Sequence, residues 1–195
     1  MTFPVMASDE DEPPLGYTLK IDGKEILLEP GKEVKVEGKF ENPSVKLVPN
    51  KERTFSAAGI TFKYPAYFTF EADFTTKGIK MWTLSGKDLL IMVHALETAG
   101  MNAQSMAQAM KSQYGKGAKT SPITRTIHGE MLKGVRLNVS LVGTSMVQDV
   151  LEVPTTKGSR ILIIQDLKPG EKISEEESKL AMALLDESFR RAEAP

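Results

Sequence analysis

The sequence predicts an α+β fold: an antiparallel β-sheet with helices packed on it, preceded by an N-terminal β-meander. One reason is that short segments of alternating apolar and polar residues recur from Tyr17 onward, many ended by turn formers such as Asp22-Gly23 and Pro30-Gly31. A second is that two later segments switch to helical spacing, around 102–114 and at the C-terminus. The third is the stretch Gly59–Phe70. There Ile60, Phe62 and Tyr64 alternate with Thr61 and Lys63 until Pro65, which has no ladder donor, stops the pattern. It marks where a second half of the chain begins.

Residues 1–16 run from an apolar start into Ser8-Asp-Glu-Asp-Glu-Pro-Pro14, with little apolar surface to bury, and are expected to be a disordered acidic tail. Val5 and Ala7 are also spaced as the last small residues before a secretory cleavage site, so residues 1–7 fit the remnant of a signal peptide. Residues 17–55 form the meander. Leu19 and Ile21, Ile26 and Leu28, Val34 and Val36, and Val45 and Leu47 each alternate with polar residues. Such short two-faced strands are marginal alone and call for a larger body to rest on.

Residues 56–195 form the α+β domain. Its strands are expected at Ile60–Tyr64, Phe68–Ala72, Gly78–Leu84, Leu89–Leu96, Ile123–His128, Met131–Leu141, Ser145–Val153 and Arg160–Gln165, with turns at Gly143 and Lys157-Gly158. In the first helix Ala103, Met106, Ala107, Met110 and Tyr114 share one face, Asn102 is the N-cap and Gly115 the left-handed end. The closing helix starts at a Ser174–Glu177 capping box, buries Leu180, Ala181, Leu184, Leu185 and Phe189, and carries Arg190 and Arg191 at its negative end.

Composition narrows the chemistry. With 25 basic and 26 acidic residues the net charge is −1, which offers no concentrated basic face for nucleic acid. Lys111, Lys116 and Lys119 make only a small cluster, the pattern of a solvated loop. There is no cysteine, hence no thiol catalysis, disulfide or cysteine-bound metal. No apolar run approaches the ~20 residues that cross a bilayer.

No catalytic constellation, cofactor motif or metal-ligand spacing stands out. His94 and His128 lack a second ligand at helical spacing. Gly143-Thr-Ser145 lacks the elbow of a serine nucleophile, and Gly115-Lys-Gly117 follows a helix where a phosphate loop must precede one. The ten methionines, Met81, Met92, Met106 and Met110 among them, are read as core filling instead of a soft-metal site. Asp22, Asp73 and Asp88 sit at turns or strand edges. Trp82, the sole tryptophan, is either core or the anchor of a protein partner, and is the one partner-binding candidate.

The segment Gly59-Ile-Thr-Phe-Lys-Tyr-Pro65, followed by a sheet, a helix, more antiparallel strands and a terminal helix, resembles the PsbP/Mog-like superfamily over roughly residues 56–193. In that superfamily an opening strand ends in an aromatic–proline pair, here Tyr64-Pro65. Where the family favours tryptophan soon after, this chain has Ala66 and Tyr67. The resemblance implies a non-catalytic binding or accessory protein, exported and bacterial, that presents a sheet face or cleft to a protein partner. It carries over no site residue. The expected location is periplasmic or secreted, with cytoplasmic as the alternative. Two rivals stand beside it. One is a small-molecule binder or hydrolase with a pocket between meander and main sheet, served by His94 or His128. The other is a structural subunit of a secreted assembly that pairs through a meander edge.

Overall fold

The computed structural model describes residues 9–98, 100–141, 144–168 and 175–192. The signal-like residues 1–7, the turn glycine Gly143 and the cap Ser174 lie outside them. Strand exceeds helix, 51% to 16%, so the fold is α+β with its sheets as the main mass.

The meander is a three-stranded sheet of β1 (Tyr17–Ile21), β2 (Lys24–Leu28) and β3 (Val45–Pro49), in the order β2-β1-β3. Asp22 and Gly23, with φ of 46° and 83°, make the β1–β2 turn that their dipeptide predicts. Val34 and Val36 form no strand. Flanked by Lys32, Glu33, Lys35 and Glu37, they bring too little apolar area to offset the ordering of another ladder.

The next hairpin, β4 (Glu52–Ala57) and β5 (Ile60–Pro65), is joined by the two-residue β13 (Arg190–Arg191) in a second small sheet, β13-β5-β4. Strand β4 thus runs across the expected boundary at residue 55 and pairs wholly with β5. The largest sheet has seven antiparallel strands in the order β6-β7-β8-β12-β11-β10-β9. They are β6 (Thr69–Asp73), β7 (Ile79–Ser85), β8 (Leu89–Leu96), β9 (Ala118–Ile127), β10 (Glu130–Leu141), β11 (Thr144–Glu152) and β12 (Ser159–Lys168). Helix α1 (Ala103–Tyr114) and helix α2 (Glu175–Ser188) pack on its two opposite faces.

One face is covered over most of its area. Phe55, Ile60, Phe62 and Tyr64 from the hairpin and Ala181, Leu185 and Phe189 from α2 close over Trp82, Leu84, Ile91, Val93, Leu151, Leu162 and Ile164. The alternation at Ile60, Phe62 and Tyr64 is therefore core-facing, with exposures of 1%, 0% and 0%. The other face is partly covered. Ala103 and Ala107 of α1 let the helix approach Leu137, Val139, Met146 and Val150 closely, while Met106, Met110 and Tyr114 pack around them. Asn102 caps α1 by accepting from the Ser105 amide at 2.8 Å, and Gly115 ends it with φ 61°.

Two expectations change at the ends of the chain. Arg190 and Arg191 lie beyond α2, paired with Thr61 and Ile60 of β5, because buried Phe189 closes the helix and the β5 edge is open. Residues 9–16 are not a free tail. Asp9 O accepts the Trp82 indole N–H at 2.6 Å, and Glu12 pairs with Arg53. The acidic segment supplies acceptors to donors of the body, a bond that composition does not reveal.

Candidate functional site

The single candidate from sequence is core. Trp82 is 1% exposed, edge-on to Phe55 at 5.8 Å and to Phe74 at 5.2 Å. Its place on β7 points it to the face that the β4–β5 hairpin and α2 cover, so it is unavailable to a partner. Glu177 also does other work than a cap. Its carboxylate accepts from the amides of Lys87, Asp88 and Leu89 at 3.1, 2.8 and 3.2 Å and ties α2 to the β7–β8 turn. Tight packing there requires Gly86, since a Cβ would lie 2.4 Å from the Glu177 carboxylate.

The two histidines are apart. His94 lies on β8, on the face that α1 shares, opposite Met81 and Ile161, and burial pushes its pKa down. His128 takes φ 47° in the β9–β10 turn, with Nδ1 3.1 Å from Asp186 O. A pocket of about 370 Å³ does open between the meander and the β4–β5 hairpin. Glu52, Arg53 and Lys63 line it, and neither histidine does. Met81 and Met92 share the His94 face, and Met92, Met106 and Met110 pack against the α1-side core. Among the described residues no group of three or more His, Asp or Glu is placed to hold a metal ion. Asp22 and Asp73 are turn formers. Asp22 accepts from the Ser44 amide at 2.8 Å, and Asp73 accepts from Thr75, which holds its carboxyl below the usual range. Asp88 is buried in the turn that Glu177 fastens.

Two polar clusters were missed by the sequence reading. Asp149, buried on β11, takes a bidentate pair from Arg136 at 2.6 and 2.8 Å and a third bond from Arg125 at 2.8 Å. These bonds raise the Arg136 pKa. Alternation places the three residues on one face of β9, β10 and β11, but only the register Arg136↔Asp149 brings them together. Near the start of the hairpin, Tyr64 lies opposite Arg53, which Glu12 covers. Burial pushes the Tyr64 phenol up to about 12, against the pull of the Arg53 guanidinium.

The meander carries an apolar face that is open along β3, although Ile21 within it is buried. The register sets Tyr17, Leu19 and Ile21 of β1 beside Ile26 and Leu28 of β2 and Val45 and Leu47 of β3 on one face. None of these residues joins either core cluster. Val45 is 58% exposed and Leu47 55%. Both lie on β3, an edge strand whose outer backbone groups have no ladder partner in this sheet. β3 thus offers apolar side chains together with outer backbone donors and acceptors that no described residue pairs.

Compared with models of known protein families the chain matches none, and no curated protein is detectably similar to it in sequence. No helix among the described residues is long and apolar enough to cross a membrane.

Proposed function

We propose that this protein is a non-catalytic binding or accessory protein, of PsbP/Mog-like type and exported, which engages a protein partner through the meander. The partner adds a strand to the β3 edge and covers Val45 and Leu47. One observation carries this reading: the two most exposed apolar residues of that face lie together on a free edge strand. Strand addition uses both features at once, since main-chain bonds supply affinity and alternate side-chain contacts supply selectivity. A large exposed apolar side chain is unremarkable singly, but a contiguous set beside an unpaired edge marks an interaction surface.

The test is capture of partners from a lysate of the source cells by the wild-type chain and by Leu47→Asp, followed by reconstitution with the purified partner. The reading expects a complex that Leu47→Asp abolishes while the fold is kept. Light scattering separates a second copy of the chain from a foreign partner: concentration-dependent dimers lost in Leu47→Asp would favour the structural-subunit reading.

A further inference from the structure

A cleft of about 480 Å³ opens where the β4–β5 turn, the β11–β12 loop and β13 meet. Its charged lining among the described residues is Lys157, Arg160 and Arg191, joined by Thr155 and Thr156, with no acidic residue among them. Arg160 is fixed by main-chain carbonyls: Nε donates to Ala58 O at 3.0 Å, and Nη1 to Ser159 O at 3.0 Å and Leu96 O at 3.4 Å. Neutral carbonyls orient a guanidinium without cancelling its charge. No carboxylate among the described residues bonds Arg160 or Lys157, whereas Arg191 pairs with Glu130.

One wall is held in a costly backbone shape, and the loop opposite it leaves no room for a side chain at Gly158. Ala58 takes φ 53°, a left-handed conformation that an alanine avoids, and its carbonyl is the one Arg160 grips. Gly158, with φ 68°, admits no side chain, since a Cβ would meet Leu96 O at 1.9 Å. The Thr155 hydroxyl, 3.4 Å from the Lys157 amide, braces the loop between them. Two turns are thus pinned around a cation that no carboxylate of the described residues neutralises.

We propose that this cleft binds the oxyanion group, carboxylate or phosphate, of an acidic ligand. Arg160 is the fixed donor, Lys157 and Arg191 close on the anion from the rim, and the Thr156 hydroxyl adds a further hydrogen bond. The site is separate from the β3 edge and stands or falls independently of it.

Calorimetric titration at low salt tests it with three probes: inorganic phosphate, an acetylated dipeptide with a free C-terminal carboxylate, and the same dipeptide amidated. Saturable binding that weakens with added salt is expected for phosphate, for the carboxylate peptide, or for both, and not for the amide. Binding of one oxyanion alone identifies the source. The double variant Lys157→Gln/Arg191→Gln should bind roughly tenfold or more weakly, as loss of charged hydrogen bonds implies. A Lys116→Gln/Lys119→Gln control should bind as the wild type does. Absence of saturable binding to both oxyanions, or equal affinity in the Lys157/Arg191 double variant, overturns the proposal.

Discussion

The meander sheet and the seven-stranded sheet are built by the same alternation and meet opposite fates. In the large sheet Ile91, Val93 and Leu162 sit beneath the β4–β5 hairpin and α2 at 0%, 1% and 0% exposure. In the small one Val45 and Leu47, at the same kind of position, keep 58% and 55% of their surface. Period-2 patterning fixes which side chains share a face, and not whether anything covers it. A covered face is scaffold, and an apolar face left open on an edge strand is where a partner gains most.

The largest test of this contrast is a pair of truncations. Ile91→Ala should cost about 3–4 kcal/mol in urea unfolding, because it removes buried methylenes and leaves a cavity. Leu47→Ser should stay within about 0.5 kcal/mol. A large loss for Leu47→Ser would mean that the meander face already serves the monomer's stability. The buried ion cluster comes next. Asp149→Ala leaves the Arg125 and Arg136 guanidiniums without their carboxylate and should cost about 3 kcal/mol, the low end for a broken buried pair because both guanidiniums reach solvent. A loss below about 1 kcal/mol would show the cluster to be no more than a surface pair.

Alkaline pH probes the β4–β5 hairpin through Tyr64. The folded pKa of Tyr64, about 12, lies above its ordinary value of 10.0, so the folded state holds the proton longer than the unfolded chain does. The stability from Tyr64 is full below the unfolded value and falls as pH rises towards the folded one, by about 2–3 kcal/mol. Tyr64→Phe should remove that part of the alkaline loss, as read from urea midpoints across the same window. An unchanged alkaline slope in Tyr64→Phe would place the ionisation elsewhere.

Local signals were legible where chemistry is local. Asp22-Gly23, Asn102 and Gly115 encode their turn, cap and helix end directly. The face of Ile60, Phe62 and Tyr64 followed from period 2. What was not legible depends on register and on which layer lies over which face. Trp82 is core because the β4–β5 hairpin covers its side of β7, and nothing near residue 82 says so. Asp149 meets Arg125 and Arg136 across strands, and Arg160 meets Ala58 across 102 positions of sequence. Residues 9–16 looked free because they carry little apolar area, yet Asp9 and Glu12 bond to Trp82 and Arg53.

The central claim is that the β3 edge of the meander, and not the body, is the partner surface. The most direct measurement is the affinity of a purified partner for the wild type, for Leu47→Asp, and for Met131→Asp, a control at a residue of the body that is 75% exposed. Leu47→Asp should abolish the complex with its thermal melt unchanged, and Met131→Asp should bind as the wild type does. A complex that survives Leu47→Asp at full affinity would contradict it.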